Sequence, residues 1–233
     1  MHALGKKHRT DKIYHHGYHR FYEDVLNKYR KKNFNFLEIG MDKGESLNLW
    51  KDYFPKANIY GLEINQGFEN DRIVVMKGNQ NKITDLKKLI KLTNNCDVIL
   101  DDGSHVPSHQ LKSFNYLFEH CLSDGGVYII EDIETSYWKK EKNAQLYGYN
   151  INAGIDSKNN IVSMFQDILH IVNREFIIQN TKNSIKKKSK ISDYALENIS
   201  SITFGMNCII IKKMSEWEKK KFTERQYRFK RFL

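Results

Sequence analysis

Proline and cysteine are both scarce, with two and three residues respectively in a chain of 233. No proline-rich stretch, low-complexity segment or internal repeat marks a linker, so a single domain is expected. Cys96, Cys121 and Cys208 lie far apart in apolar surroundings. Their spacing fits neither a zinc site nor a disulfide framework, and they read as reduced core thiols. No segment approaches the roughly 20 consecutive apolar residues of a membrane span. Residues 1–8 contain no apolar signal region, which makes the cytoplasm the expected location. The Gly-x-Gly-x-x-Gly fingerprint is missing as well, which disfavours a nicotinamide-dependent oxidoreductase.

Hydrophobic residues make up 40% of the chain, enough for a sizeable core, and the net charge is +10. A positive balance attracts anions such as nucleotides, phosphorylated sugars, nucleic acid or a membrane surface. Much of it comes from Lys186, Lys187 and Lys188 and from 219–231, which read as solvated surface.

The run 98–105, VILDDGSH, is the strongest local signal. A short apolar strand ending in Asp101 and Asp102 delivers carboxylates to one edge of a sheet, with His105 close behind. A second run, 127–133, VYIIEDI, does the same with Glu131 and Asp132. If the two strands are parallel and adjacent, Asp102, Glu131 and Asp132 meet beside His105. Crowded carboxylates disfavour one another's ionisation unless a cation is present, and hard oxygen ligands suit magnesium. The alternative is that these acids cap the helices that follow.

Elsewhere the order of elements points to a nucleotide-binding α/β unit. Residues 34–40 form a strand that runs into a glycine turn and a helix carrying Leu47, Leu49, Trp50 and Phe54. That arrangement lets backbone approach a ligand and offers a helix N-terminus to an anion. A second strand, 58–64, ends at Glu63, placed to accept both hydroxyls of a ribose. A third, 72–78, leads to Asn79 and Gln80, amides suited to an adenine edge. Helices are expected over 83–90 and 107–122, a strand over 127–133, and a hairpin over 201–212 as the one antiparallel element. Helical spacing also begins at Tyr18, leaving Lys12, His16 and Tyr18 in the preceding loop, able to close over a ligand. His15, His16 and His19 lack nearby thiols and have few acids, so a metal site there is not expected. Thr135 to Trp138 form an aromatic loop at the same sheet edge. Residues 139–161 read as a lid-like loop, 161–178 as helical, 181–190 as a polar basic stretch, and 215–232 as a charged helix. The aromatics of that last helix, Trp217, Phe222, Tyr227 and Phe229, could pack on the core or on a second subunit as a homo-oligomer.

Taken together, Thr10-Asp-Lys with His16-Gly-Tyr18, Leu37-Glu-Ile-Gly40, Gly61-Leu-Glu63, Asp101-Asp-Gly-Ser-His105 and Ile130-Glu-Asp132 make the chain resemble class I S-adenosylmethionine-dependent methyltransferases. The resemblance is narrower to the magnesium-dependent sugar O-methyltransferases of the macrolide-sugar and surface-glycan type, and runs from about residue 10 to 138. It implies a doubly wound, mostly parallel seven-stranded α/β sheet with one antiparallel edge hairpin. The expected divisions are a cap segment and helix over 1–33, a cofactor- and metal-binding core over 34–138, an acceptor or lid region over 139–200, and the hairpin with the C-terminal helix over 201–233. Glu38 and Gly40 would line the methionine end of S-adenosyl-L-methionine, Glu63 would hold its ribose, and Ser46 and Asp101 would complete the cofactor set with Lys12, His16, Tyr18, Asn79 and Gln80. Asp102, Glu131 and Asp132 would ligate Mg2+, with Asp102 and His105 as the catalytic pair and His105 the general base. The family often places an acid near Asn79, where this chain has amides.

The implied reaction is methylation of a sugar hydroxyl, on a nucleotide-linked hexose or heptose for capsule, surface-glycan or natural-product biosynthesis. A catechol or other diol shares the metal logic and stays open as an acceptor. A nucleic-acid partner is not expected, because the Asn/Asp-Pro-Pro-aromatic turn of amine-modifying methyltransferases has no counterpart at Asp101-Asp-Gly-Ser. The intact acid and histidine set argues against a non-catalytic, cofactor-binding partner protein.

Overall fold

In the computed structural model, residues 1–139 and 151–221 are described. Eight strands form one sheet in the order β3-β4-β2-β1-β5-β6-β8-β7. They are β1 (Asn35–Ile39), β2 (Asn58–Glu63), β3 (Phe68–Asn70), β4 (Ile73–Lys77), β5 (Cys96–Asp101), β6 (Leu122–Glu131), β7 (Ile199–Gly205) and β8 (Cys208–Lys213). The five strands β4, β2, β1, β5 and β6 are parallel, and β8 returns antiparallel on β6. The expected count was seven. The eighth is β3, a three-residue strand antiparallel to β4 whose residues are all exposed, which is why no hydrophobic alternation signals it.

Alternation along the inner strands feeds two separate cores. Phe36, Val98, Leu100, Val127 and Ile129 face one side, under Tyr22, Leu26, Leu47, Trp50 and Phe54. Leu37, Ile39, Ile99, Tyr128 and Ile130 face the other, under Leu86, Leu89, Phe114, Leu117, Phe118 and Phe165. Helices therefore cover both faces, as long crossovers between parallel strands require. α3 (His19–Leu26) and α4 (Glu45–Tyr53) lie on the first side, and α5 (Ile83–Thr93), α6 (Pro107–His120) and α7 (Ile161–Gln166) on the second. The three cysteines are buried free thiols.

The N-terminal segment is more structured than its spacing predicts, with α1 (His2–His8) and α2 (Asp11–Tyr14) ahead of α3. The basic stretch is a helix, α8 (Gln179–Lys188), with no buried residue, and α9 (Asp193–Asn198) precedes the hairpin. Residues 161–178 split into α7 and a 3-10 segment, Leu169–Phe176, with non-helical backbone at Asn173. Ser215 and Glu218 form a reciprocal capping box at the start of the charged helix. Part of the lid stretch, 140–150, and the aromatic end of the expected charged helix, 222–233, lie outside the described residues.

Candidate active site

Strand order reverses between β1 and β5, and a crevice opens outside the carboxyl ends of parallel strands at such a point. Which strand-end residues look into it follows from parity. Glu38 shares a face with Phe36, Asp102 with Leu100, and Glu131 with Ile129. In register, Ile39 lies opposite Asp101 and Asp101 opposite Ile130. Three carboxylates on three adjacent strands thus converge on the face covered by the N-terminal segment.

That segment answers them. The Lys12 ammonium donates to Glu131 Oε2 at 2.5 Å and to Asp102, and lies 3.3 Å from Glu38 Oε1. Tyr22 donates to Glu131 Oε1, and Tyr18 to Asp132 Oδ1 at 2.5 Å. Burial opposes the charge on Lys12, yet Asp102, Glu131 and Glu38 together hold its pKa well above the ordinary lysine value. One ammonium cannot balance three carboxylates. Burial raises Glu38 to about 7 and pushes Glu131 up, while Lys12 opposes both shifts.

Asp132 and His105 leave their strands in left-handed backbone, with φ of 51° and 54°. Such strain at non-glycine residues persists only where the surroundings enforce it. Thr135 donates to the His105 carbonyl at 2.6 Å. Asn207, at the turn of the β7–β8 hairpin, donates from its amide nitrogen to Asp132 Oδ1 at 3.0 Å, and its side-chain oxygen accepts from the Glu134 amide at 2.8 Å. Pairing of Cys208 with Glu131 brings this turn to the tip of β6. Ligand atoms of Asp102, His105 and Asp132 all lie within 4.8 Å of one another. Glu131, expected among the metal ligands, is outside that group and paired with Lys12 and Tyr22. His16 stacks on Tyr18 and approaches Asp132 Oδ1 to 3.7 Å. The two residues therefore sit against the acid, where a cofactor contact was expected.

Two cavities flank this cluster. A polar cleft of about 410 Å³ is lined by Lys12, Gly40, Ser46, Glu63, Asp102, His105 and Asp132. A more apolar one of about 210 Å³ is lined by Ile39, Leu62, Ile64, Asn79, Gln80 and Ser104. Gly40, Glu63 and Gly103 border both. Glu63 is held at that junction by the Met41 and Asn65 amides. Ser46 donates to Glu38 at 2.9 Å. Gly40 has φ of 80°, and a Cβ there would fall 2.1 Å from the Asp102 carbonyl oxygen, so only glycine lets β1 turn against the β5 loop.

One expected cofactor residue, Asp101, is corrected by parity. Asp101 is fully buried on the opposite face, accepting from Ser113 at 2.5 Å, Gln80 at 2.9 Å and Tyr128 at 3.3 Å. Burial raises its pKa. Gln80 borders the smaller cavity, but its amide is committed to Asp101 and, at 2.6 Å, to the Ser104 amide. Both residues fix the 102–105 loop. Asn79 stays at the cavity, with its side-chain oxygen accepting from Asn81. Tyr22 and Asn207 were not expected at the site. Tyr22 sits in a hydrophobic helical stripe and Asn207 in a turn, and nothing local to either sequence reports a carboxylate across the fold.

No family model matches the chain. The solved MycE methyltransferase from the mycinamycin biosynthetic pathway, in complex with Mg, SAH and mycinamycin VI, superposes with a TM-score of 0.76 at 26% identity, over 92% of this chain and 53% of that one. The chain has the class I methyltransferase fold. In sequence, the chain is 37% identical over 126 residues to the mycinamicin VI 2''-O-methyltransferase of Micromonospora griseorubida, covering 50% of this chain and 31% of that protein. It is likewise 37% identical over 126 residues to the demethylmacrocin O-methyltransferase of Streptomyces fradiae, covering 50% and 32%. A tetracenomycin rhamnosyl 2'-O-methyltransferase of Streptomyces olivaceus is 32% identical over 145 residues, covering 58% and 38%. The chain spans about a third of the length of these curated relatives.

Proposed function

We propose that this protein transfers a methyl group from S-adenosylmethionine to a hydroxyl of a sugar, with a divalent cation held at the tips of β5 and β6. The observation that carries the reading is the convergence of Asp102, His105 and Asp132 at the wall of a polar cleft. The relatives, named as O-methyltransferases of macrolide and polyketide glycosides, supply the acceptor class. A nucleotide-linked hexose or heptose, for a capsule, surface glycan or natural product, is the finer form of the reading. The basic chain suits the diphosphate of such an acceptor.

The residues fit both groups. Gly40 and Gly103 border both cavities and present backbone there without side chains, which lets a ligand approach the main chain. Glu63 can accept two ribose hydroxyls, and Glu38 and Ser46 lie on the side of the methionine end. Two carboxylates suit a hard cation, whereas an imidazole suits proton transfer. When bound, the cofactor supplies an electrophilic methyl and Mg2+ a Lewis acid for the acceptor oxygen. Asp102 and Asp132 hold the acceptor end of the cleft in place. His105 takes the hydroxyl proton while the acceptor oxygen bonds to the methyl carbon and the carbon–sulfur bond breaks. Thr135 fixes the His105 backbone and Asn207 the Asp132 carboxylate, so the protein's part is chiefly orientation.

Mass spectrometry of reactions with S-adenosylmethionine and a panel of nucleotide sugars, glycosides and catechols tests this reading. Methylated sugar that disappears with EDTA and returns with Mg2+ is the expected result. Products unaffected by chelation would remove the metal, and product from catechols alone would remove the sugar.

A further inference from the structure

Two lysines are buried among the described residues, and they are used differently. Lys213 donates to the Phe118 and Leu122 carbonyls at 2.9 and 2.8 Å. It caps the C-terminal end of α6, an ordinary structural role. Lys12 is 2% exposed and caps nothing. Its ammonium reaches Asp102, Glu131 and Glu38, the acidic ends of three neighbouring strands. A buried ammonium is costly to desolvate, but buried carboxylates left without a countercharge would cost more, so these strand ends call for a cation. All three partners offer the hard oxygen ligands that a divalent ion prefers.

Glu131 adjoins Asp132 in sequence, and its carboxylate already shares Lys12 with Asp102. Even so, among the described residues it is Asp102, His105 and Asp132 that form a compact ligand group, without Glu131. Lys12, together with Tyr22, is what engages Glu131. We infer that Lys12 is an internal counter-cation, standing in for the divalent ion at Asp102 and Glu131 and released from them when that ion binds. This rests on the metal proposed above. It gives the N-terminal segment a role beyond covering the cleft, because metal entry exchanges one positive partner of β5 and β6 for another. Glu131 then joins Asp102 and Asp132, and Lys12 is left at the cleft wall beside Glu38.

Protein labelled with 15N-lysine tests the exchange without a variant. Side-chain ammonium signals survive solvent exchange only where they are enclosed, so Lys12 and Lys213 should give the protected pair. Titration with MgCl2 should shift or erase the Lys12 signal and leave Lys213 as an internal reference. Lys12→Met assigns the first signal; Lys213→Met assigns the second and keeps the test intact if Lys12→Met does not fold. By calorimetry at about pH 8, where protons compete least for the carboxylates, Lys12→Met should bind Mg2+ about tenfold more tightly, within the usual span of coupling energies. A Lys12 signal unmoved while Mg2+ saturates the wild type, or weaker Mg2+ binding by Lys12→Met, overturns the exchange and leaves the metal reading standing. No heat of Mg2+ binding in the wild type overturns both.

Discussion

His105 and Asp132 each hold a left-handed backbone that β-strand ends do not need for folding, and each such residue costs on the order of 1–3 kcal/mol. The strain aims both side chains into the cleft, and the hydrogen bonds from Thr135 and Asn207 hold it there. His105→Ala should lower turnover by roughly 10²–10⁴-fold, the usual worth of a positioned general base. S-adenosylhomocysteine affinity, followed by calorimetry, should be preserved. Asn207→Ala removes one side-chain donor to Asp132 and keeps Tyr18. Loss of such an outer partner should weaken Mg2+ binding by about 10–100-fold, again with cofactor binding intact. Glu38 gives a pH signature. Its folded-state pKa is raised from 4.5 to about 7 by burial, so the native state binds more protons than the unfolded chain between those values. Its contribution to stability therefore declines as pH rises through that window. Denaturation midpoints of Glu38→Gln relative to wild type should shift in favour of glutamine across the same window, and a flat difference would contradict the assignment.

At the scale of elements, the parallel strands, their order of use and the closing hairpin were legible because buried strands are continuous apolar runs and glycine turns separate them. The acids at the strand ends were legible for the same reason: charge at the end of an apolar run must lie at a sheet edge. What was misread came from setting aside the two-residue period. Asp101 and Asp102 are neighbours in sequence and point to opposite faces, so one is a buried brace under α6 and the other lines the cleft. Glu131 lies on the same face as Asp102 and is engaged there by Lys12 and Tyr22. The parts with no sequence signal are long-range partners. Tyr22 comes from α3, Lys12 from α2 and Asn207 from the hairpin, each meeting an acid 75 to 119 residues away. The β1–α4 turn is sensitive to substitution. Gly40→Ala must displace the Asp102 carbonyl and adopt a positive φ. It should abolish measurable S-adenosylhomocysteine binding and destabilise the protein by roughly 1–3 kcal/mol, read by calorimetry and chemical denaturation.

Across the whole molecule, a chain of net charge +10 encloses a site built from carboxylates. Crowded carboxylates of this kind favour a cation among them. The fold is shared with longer relatives, and the N-terminal segment, the sheet and the hairpin each contribute to one cluster at its carboxyl edge. The account stands on a divalent ion lying among Asp102, His105 and Asp132. Mn2+ in place of Mg2+ locates it, because a paramagnetic ion broadens NMR signals of nearby nuclei. The His105 ring signals should broaden first, followed by His16, which lies 3.7 Å from Asp132. His120, at the far end of α6 and so about 20 Å away along a 14-residue helix, should stay sharp. Broadening of His120 ahead of His105, or no selective broadening at saturating Mn2+, would contradict the site.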